Sequence, residues 1–231
     1  ILAIVMVLLI RQPHMSCMIL ILATAASVLL AGGIHLGWFA AAAAAVGGGL
    51  WYIITQTEYM NARIQAWRHP ELDPLGTSAR YHTMRSLRSL TGGGMTGQGL
   101  FNGHRTQHMP LEGQHTDFIF STIGEELGFV GCALVVLALL AIIIRVIWVG
   151  ARSQDYLRRL VCFGAASALI FQVIINVGMC IGVMPVIGLT LPLISYGGSS
   201  VVTIYAMLGL VSGAHARPQS QSHERYIQPY R

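Results

Sequence analysis

Apolar residues run in long stretches along this chain, and polar residues collect in one insert and one tail. A bilayer crossing takes about 20 mainly apolar residues. Five stretches approach that length: Met15 to Gly33, Leu36 to Thr55, Leu127 to Ile144, Leu160 to Val183 and Ile187 to Val211. Ile1 to Ile10 is apolar but too short to span. It reads as the end of a helix that begins earlier, and the sequence as the C-terminal part of something larger. The pattern predicts an all-α, polytopic transmembrane helix bundle with one long extracellular loop. Residues 1–55 hold the end of one helix and two spans, 56–126 the loop, 127–213 three spans, and 214–231 a cytoplasmic tail.

Composition agrees. Of 231 residues, 54% are hydrophobic and 10% charged, with mean hydropathy +0.62; soluble domains carry about 25% charged residues. All fourteen basic residues are arginine, for which the sequence offers no functional reason. Cys17, Cys132, Cys162 and Cys180 sit in apolar runs at no metal-ligand spacing and read as small core residues. Orientation follows from arginines in short loops. Arg145, Arg152, Arg158 and Arg159, with Arg217, Arg225 and Arg231 in the tail, place those stretches in the cytoplasm and the insert outside. Six arginines in the insert do not break the rule, because long loops cross largely regardless of charge. The tail's polarity predicts disorder. Within the spans, the small residues Ala40 to Ala45 and Gly47 to Gly49 suit close helix packing, and Asn176 an interhelical hydrogen bond.

Chemistry concentrates in the insert. Around Arg63 to Gly76, Pro70, Pro74 and Gly76 mark turns, and Asp73-Pro74-Leu75-Gly76 suits a type I turn. Arg63 is either a rim charge or an anion contact. The run Gly92-Gly93-Gly94-Met95-Thr96-Gly97-Gln98-Gly99 has a phosphate loop's composition but lacks the Gly-Lys-Ser/Thr ending. A tight turn or a close approach of backbone suits it better. His104, Arg105, His108, Glu112, His115 and Asp117 follow within fourteen residues. They could ligate zinc, although no His-Glu-x-x-His helix is present. Asp117 could cap the following helix; alternatively Thr122 and Glu125 form a capping box one turn later and leave Asp117 free for chemistry. The last cluster, Gly188 to Ser200, contains Pro192 and a glycine pair and predicts a broken helix entry on the insert's side. Irregular backbone at membrane depth survives only inside protein or along a wet cavity, so this segment is expected to line the same pocket.

These clusters, in this order, resemble the SEDS family, the RodA, FtsW and SpoVE proteins of bacterial wall synthesis. The residues that carry the resemblance are His115-Thr116-Asp117-Phe118-Ile119-Phe120 through Gly124-Glu125-Glu126-Leu127-Gly128; Asn176-Val177-Gly178-Met179; Pro185-Val186-Ile187-Gly188; and Pro192 through Ser200. Asp73-Pro74-Leu75-Gly76 and the glycine run match too, and Asn102-Gly103 with Thr106-Gln107 leans toward the RodA branch. Family members have ten spans, so the resemblance implies that this chain holds the end of the fifth through the tenth.

The resemblance further implies a peptidoglycan glycosyltransferase that polymerises lipid II, in complex with a class B penicillin-binding protein, in the bacterial cytoplasmic membrane. Membrane lipid is expected around it, and nucleic acid is not expected as a partner. Asp117 falls on the family's essential loop aspartate, implying an acid–base role in an inverting transfer. A divalent cation (Mg or Mn) or an arginine would offset charge on the leaving pyrophosphate. Arg63 matches a recurrent family arginine; Arg105, His115, Thr116, Ser195, Tyr196, Gly197, Gly198 and Ser199 complete the expected substrate-binding set. Three positions depart from the pattern. His14 stands where the family has an acid, Leu111-Glu112-Gly113 lacks its proline, and His69 replaces an aspartate. A lipid II flippase, or a scaffold for the transpeptidase, are the alternative classes.

Overall fold

The computed structural model describes residues 15–35, 58–69, 80–108 and 113–216, and isolated positions at 9, 37, 40, 44, 47 and 48. Among them there are helices and no strand. They are α1 (Met15–Ala31), α2 (Glu58–Arg68), α3 (Tyr81–Gly93), α4 (His104–His108), α5 (Ile119–Arg152), α6 (Tyr156–Cys180) and α7 (Gly198–Ala216). Helices α5, α6 and α7 are long and apolar enough to cross a membrane, and α1 is a shorter apolar helix. The expected span Leu36–Thr55, the Asp73–Gly76 turn, Glu112 and residues 217–231 lie almost wholly outside the described residues.

Helix α6 is the hub and packs against α1, α5 and α7. Its buried residues Cys162, Ala165, Ala166, Leu169 and Val173 follow three- and four-residue steps, which put them on one stripe of a helix. Leu139, Ile143 and Val146 of α5 and Ile204 and Val211 of α7 close the core around that stripe. Small residues set the spacing. A Cβ on Gly150 would lie 2.8 Å from the Cys162 Cβ, and one on Gly164 3.0 Å from a Val28 methyl. The opposite face of α5 leaves Leu134, Leu137 and Ile144 exposed, as a helix in contact with lipid does. Three of the four cysteines are buried, but Cys17 is exposed. Cys17 is therefore no core residue.

Two element starts differ from the sequence expectation. The fifth stretch has the expected broken entry, but its helix starts later than Ile187: residues 183–197 are irregular and α7 starts at Gly198. Pro192 and the positive φ of Gly188 (78°) and Leu193 (66°) explain the delay. Second, α5 begins at Ile119 and runs past Thr122 and Glu125, so no capping box starts it. Phe118 occupies the cap position without a side-chain bond, and its carbonyl accepts from Ser121 N and Thr122 N.

The glycine run explains a break in α5. Gly128 has φ 68° and ψ −165°, which interrupts the helix. The interruption frees the carbonyls of Glu125 and Glu126 and the amides of Phe129 and Val130, and the 94–99 turn takes all four. Gln98 N donates to Glu125 O at 3.0 Å and Gly99 N to Glu126 O at 2.9 Å. Phe129 N donates to Gly94 O at 2.9 Å and Val130 N to Met95 O at 3.2 Å. Such contact needs bare backbone. A Cβ on Gly93 would sit 1.8 Å from Gly124 O, and one on Gly97 2.1 Å from Glu126 O. The glycines therefore serve close backbone approach.

Candidate active site

Helix α2 hooks onto the irregular segment through one face. Arg63 and Trp67 are four residues apart, hence one above the other. Arg63 Nη1 donates to Val186 O at 2.9 Å, and Trp67 Nε1 to Gly182 O at 3.1 Å. Ser16 of α1 reaches the same segment by bonding Ile187 O. Arg63, Trp67, Arg80, Thr83, Pro185 and Val186 are among the residues around a cavity of about 160 Å³.

The turn 113–118 carries Asp117 and is clamped through its backbone. Buried Asn176 donates from Nδ2 to Asp117 O at 2.8 Å and to Leu189 O at 2.6 Å. Buried Ser195 donates from Oγ to Thr116 O at 2.6 Å and accepts from Leu191 N at 2.7 Å. Tyr196 N donates to His115 O at 2.8 Å. Underneath, the Phe118 ring stacks on His82 with centroids 6.0 Å apart, and Ser86 of α3 links to Ser121 Oγ and Cys180 O. Every clamp grips main chain, so none of them uses the half-buried Asp117 carboxyl. An added Cβ on Gly188 would lie 3.2 Å from its Oδ2, so glycine there keeps room for the carboxyl. Asn176 thus fixes the Asp117 turn rather than a neighbouring span. Its spacing in α6 alone offered no hint of this.

Burial pushes the Asp117 carboxyl above its ordinary pKa, while a hydrogen bond from the Thr116 side chain and the positive charge of Arg63 pull it back. A half-desolvated carboxyl beside a guanidinium can accept a proton from a hydroxyl brought to it, with the cation placed for an anionic leaving group. Among the described residues no three His, Cys, Asp or Glu side chains converge on a common point. The Asp117 carboxylate could supply one ligand to a divalent cation.

The remaining expected site residues divide. His115 and Tyr196 are exposed at the mouth, with Tyr196 80% accessible. Gly197, Gly198 and Ser199 lead into α7, where Ser199 O accepts from Thr203 Oγ1. Arg105 does not bring its guanidinium to Asp117. Among the described residues its contribution is its backbone N–H, which donates to Glu125 Oε1 at 2.7 Å.

Glu125 is the functional-site residue that sequence reasoning misassigned. It is fully buried and accepts from Arg105 N, from Thr106 N at 3.2 Å and from Thr106 Oγ1 at 2.7 Å. It therefore fastens α4 to α5 beside a cavity of about 350 Å³ that includes His115, Gln114 and Phe101. Glu125→Ala strands these donors, each worth about 1–3 kcal/mol when buried and unmade. The expected result is a loss of about 3 kcal/mol, read as faster amide exchange at Arg105 and Thr106.

Comparison with known proteins places these features. The cell cycle protein family FtsW/RodA/SpoVE matches residues 1–220. The peptidoglycan glycosyltransferase MrdB of Escherichia coli K12 is 37% identical over 166 residues, 72% of this chain and 44% of that protein. A probable peptidoglycan glycosyltransferase FtsW of Acinetobacter baylyi is 33% identical over 229 residues, 97% of this chain and 56% of its own length. The chain thus spans about half the length of these relatives. A solved peptidoglycan synthase complex, described as coordinating polymerization and crosslinking, superposes with TM-score 0.70 at 32% identity, covering 91% of this chain and 58% of the other. An Asp-to-Ala mutant of the Thermus thermophilus rod shape determining protein RodA superposes with TM-score 0.60 at 28% identity, covering 91% and 53%.

Proposed function

Because the chain belongs to the FtsW/RodA/SpoVE family, we propose that it carries the catalytic part of a multi-pass membrane glycosyltransferase that polymerises lipid II into peptidoglycan strands. The single observation that carries this reading is the Asp117 carboxyl, half-buried, under the positive charge of Arg63 and not used by the clamp, which grips only backbone. In the proposed reaction the acceptor sugar's 4-hydroxyl attacks the anomeric carbon of a lipid-linked donor. The new C–O bond forms as the bond to the pyrophosphate breaks, with inversion. Asp117 takes the hydroxyl proton, and Arg63 faces the departing phosphates. The partner is a class B penicillin-binding protein, which would cross-link the strands. The Asp117 end lies outside the cytoplasmic membrane and the Arg152 end inside. An ion such as Mg or Mn is compatible with the Asp117 carboxylate and would add positive charge at the pyrophosphate.

The distribution of charge favours chemistry over transport. No ionisable Asp, Glu, Arg or His lies in the middle of α5, α6 or α7, where a translocation path would need such groups. Asp117, Glu125 and Glu126 gather at one end instead.

The test is lipid II polymerisation by the purified chain with its co-expressed transpeptidase. Glycan strands are expected; none, with a full-length relative active in the same assay, would overturn the proposal. The pH profile adds a sharper reading. Asp117 acts as a base only when ionised, and its pKa is raised, so activity falls on acidification at a pH above the range of an ordinary aspartate. Arg63 favours the ionised form, so Arg63→Gln should move that acid limb to higher pH. An unmoved limb would sever Arg63 from Asp117.

A further inference from the structure

A second built site lies at the other end of the bundle. From Phe129 to Arg152, α5 extends roughly 36 Å at 1.5 Å per residue, which carries it from the Asp117 turn to the opposite membrane boundary. There Trp148 gathers cations. The Arg145 guanidinium carbon lies 4.3 Å from its ring centroid and that of Arg152 3.9 Å, both within cation–π range. The His215 ring of α7 stands 6.4 Å from the same ring, and its Nε2 is 3.4 Å from Arg145 Nη2. Trp148, Arg152, Ser153, Asp155, Arg158 and His215 are among the residues around a cavity of about 210 Å³, where the end of α5, the start of α6 and the end of α7 meet.

The charge there is unbalanced. Asp155 is the one acid on the cavity, and it is engaged: its carboxylate accepts from Leu157 N at 3.0 Å and pairs with Arg158 at 3.2 Å. Among the described residues Arg145 and Arg152 pair with no acid; the indole holds them. Guanidinium forks fit phosphate oxygens two at a time, and stacking on Trp148 orients the forks in advance. Directly along α5 from the cavity, Ile144, Leu140 and Leu137 are exposed on the bundle surface. A polar cup continuous with an apolar strip suits an amphiphile better than a free ion.

We propose that this pocket binds the phosphodiester headgroup of an anionic membrane phospholipid, with Arg145 and Arg152 on the phosphate and the acyl chains along Leu137, Leu140 and Ile144. Basic pockets between membrane helices are suited to such headgroups. The site uses none of the residues around Asp117 and stands or falls independently of the glycosyl transfer.

The experiment is native mass spectrometry of the purified full chain, titrated with phosphatidylglycerol or with phosphatidylcholine of the same acyl chains. Wild type should retain phosphatidylglycerol preferentially. The double variant Arg145→Gln/Arg152→Gln should bind it about thirtyfold more weakly, the loss expected for two arginines at an anionic surface. A charge-matched control, Arg85→Gln/Arg88→Gln on α3, should bind as wild type does. Equal losses in both double variants, equal retention of phosphatidylcholine, or displacement of phosphatidylglycerol by millimolar inorganic phosphate would each overturn the proposal. Should the glutamine pair fail to fold, Arg152→Lys keeps the charge and loses the fork. It should still weaken binding several-fold, and wild-type affinity there would also overturn the assignment.

Discussion

Asp117→Asn will stop glycan-strand formation and leave the fold intact. Asparagine keeps the size of the side chain and removes its capacity to take a proton, which in general base catalysis is worth about 10²–10⁴ in rate. The turn itself should not move. Asn176, Ser195 and Tyr196 hold residues 115–117 by their carbonyls, and none of the three bonds uses the Asp117 carboxyl. A neutral amide also fits a half-buried place that already disfavours the ionised carboxyl. Helix content and thermal midpoint in detergent should therefore match wild type while polymerisation falls at least a hundredfold. Activity within tenfold of wild type would remove Asp117 from the chemistry. Lost activity with lost helix content would show that the carboxyl holds the turn after all.

Gly97→Ala should cause a large loss of stability from a single methyl group in this loop. Its Cβ would arrive 2.1 Å from Glu126 O and 2.6 Å from Leu127 N, and those are backbone atoms that cannot swing aside. Gly97 also has φ 79°, a left-handed conformation that costs alanine about 1–2 kcal/mol. Expelling the turn breaks the four bonds that it makes across the Gly128 break, at about 1 kcal/mol net apiece. The expected loss is about 4 kcal/mol or more. It should appear as roughly thousandfold faster hydrogen exchange at the amides of Phe129 and Val130, with much smaller change at Leu139 or Ile143. Unchanged exchange at 129 and 130 would mean that the turn does not hold the break.

Spans and site were legible in the sequence to different depths. Long apolar runs at Leu127–Ile144 and Leu160–Val183 lie within α5 and largely within α6 because bilayer thickness fixes their length, and no local ambiguity competes with twenty apolar residues. Pro192 and the glycine pair foretold the irregular entry to α7 because each acts on its own backbone. Asp117 stood out by its place at an apolar boundary. What stayed hidden depends on partners far along the chain. Glu125 looked like a cap from its spacing to Thr122, but its bonds go twenty residues back to α4. Arg63 finds Val186, 123 residues away, and Asn176 finds Asp117, 59 away. Helices α2 and α3 escaped notice because their buried faces are narrow; α3 buries Ser86 and Gly93 rather than large apolar side chains.

The Gly128 break also gives the segment a second set of backbone partners. In an unbroken helix, Phe129 N–H would meet the Glu125 carbonyl and Val130 N–H the Glu126 carbonyl, four residues back. Those are the same four groups that the 94–99 turn engages. The segment accordingly has two complete pairings, one with itself and one with the turn, and in neither is a backbone group stranded. Lipid offers such groups no partner, so a nascent segment can enter the bilayer straight and self-paired. Exchange of partners with the turn is what lets it bend without stranding those groups. The ladder acts as a latch: while the turn holds these four groups, the carboxyl-bearing end keeps its bent direction.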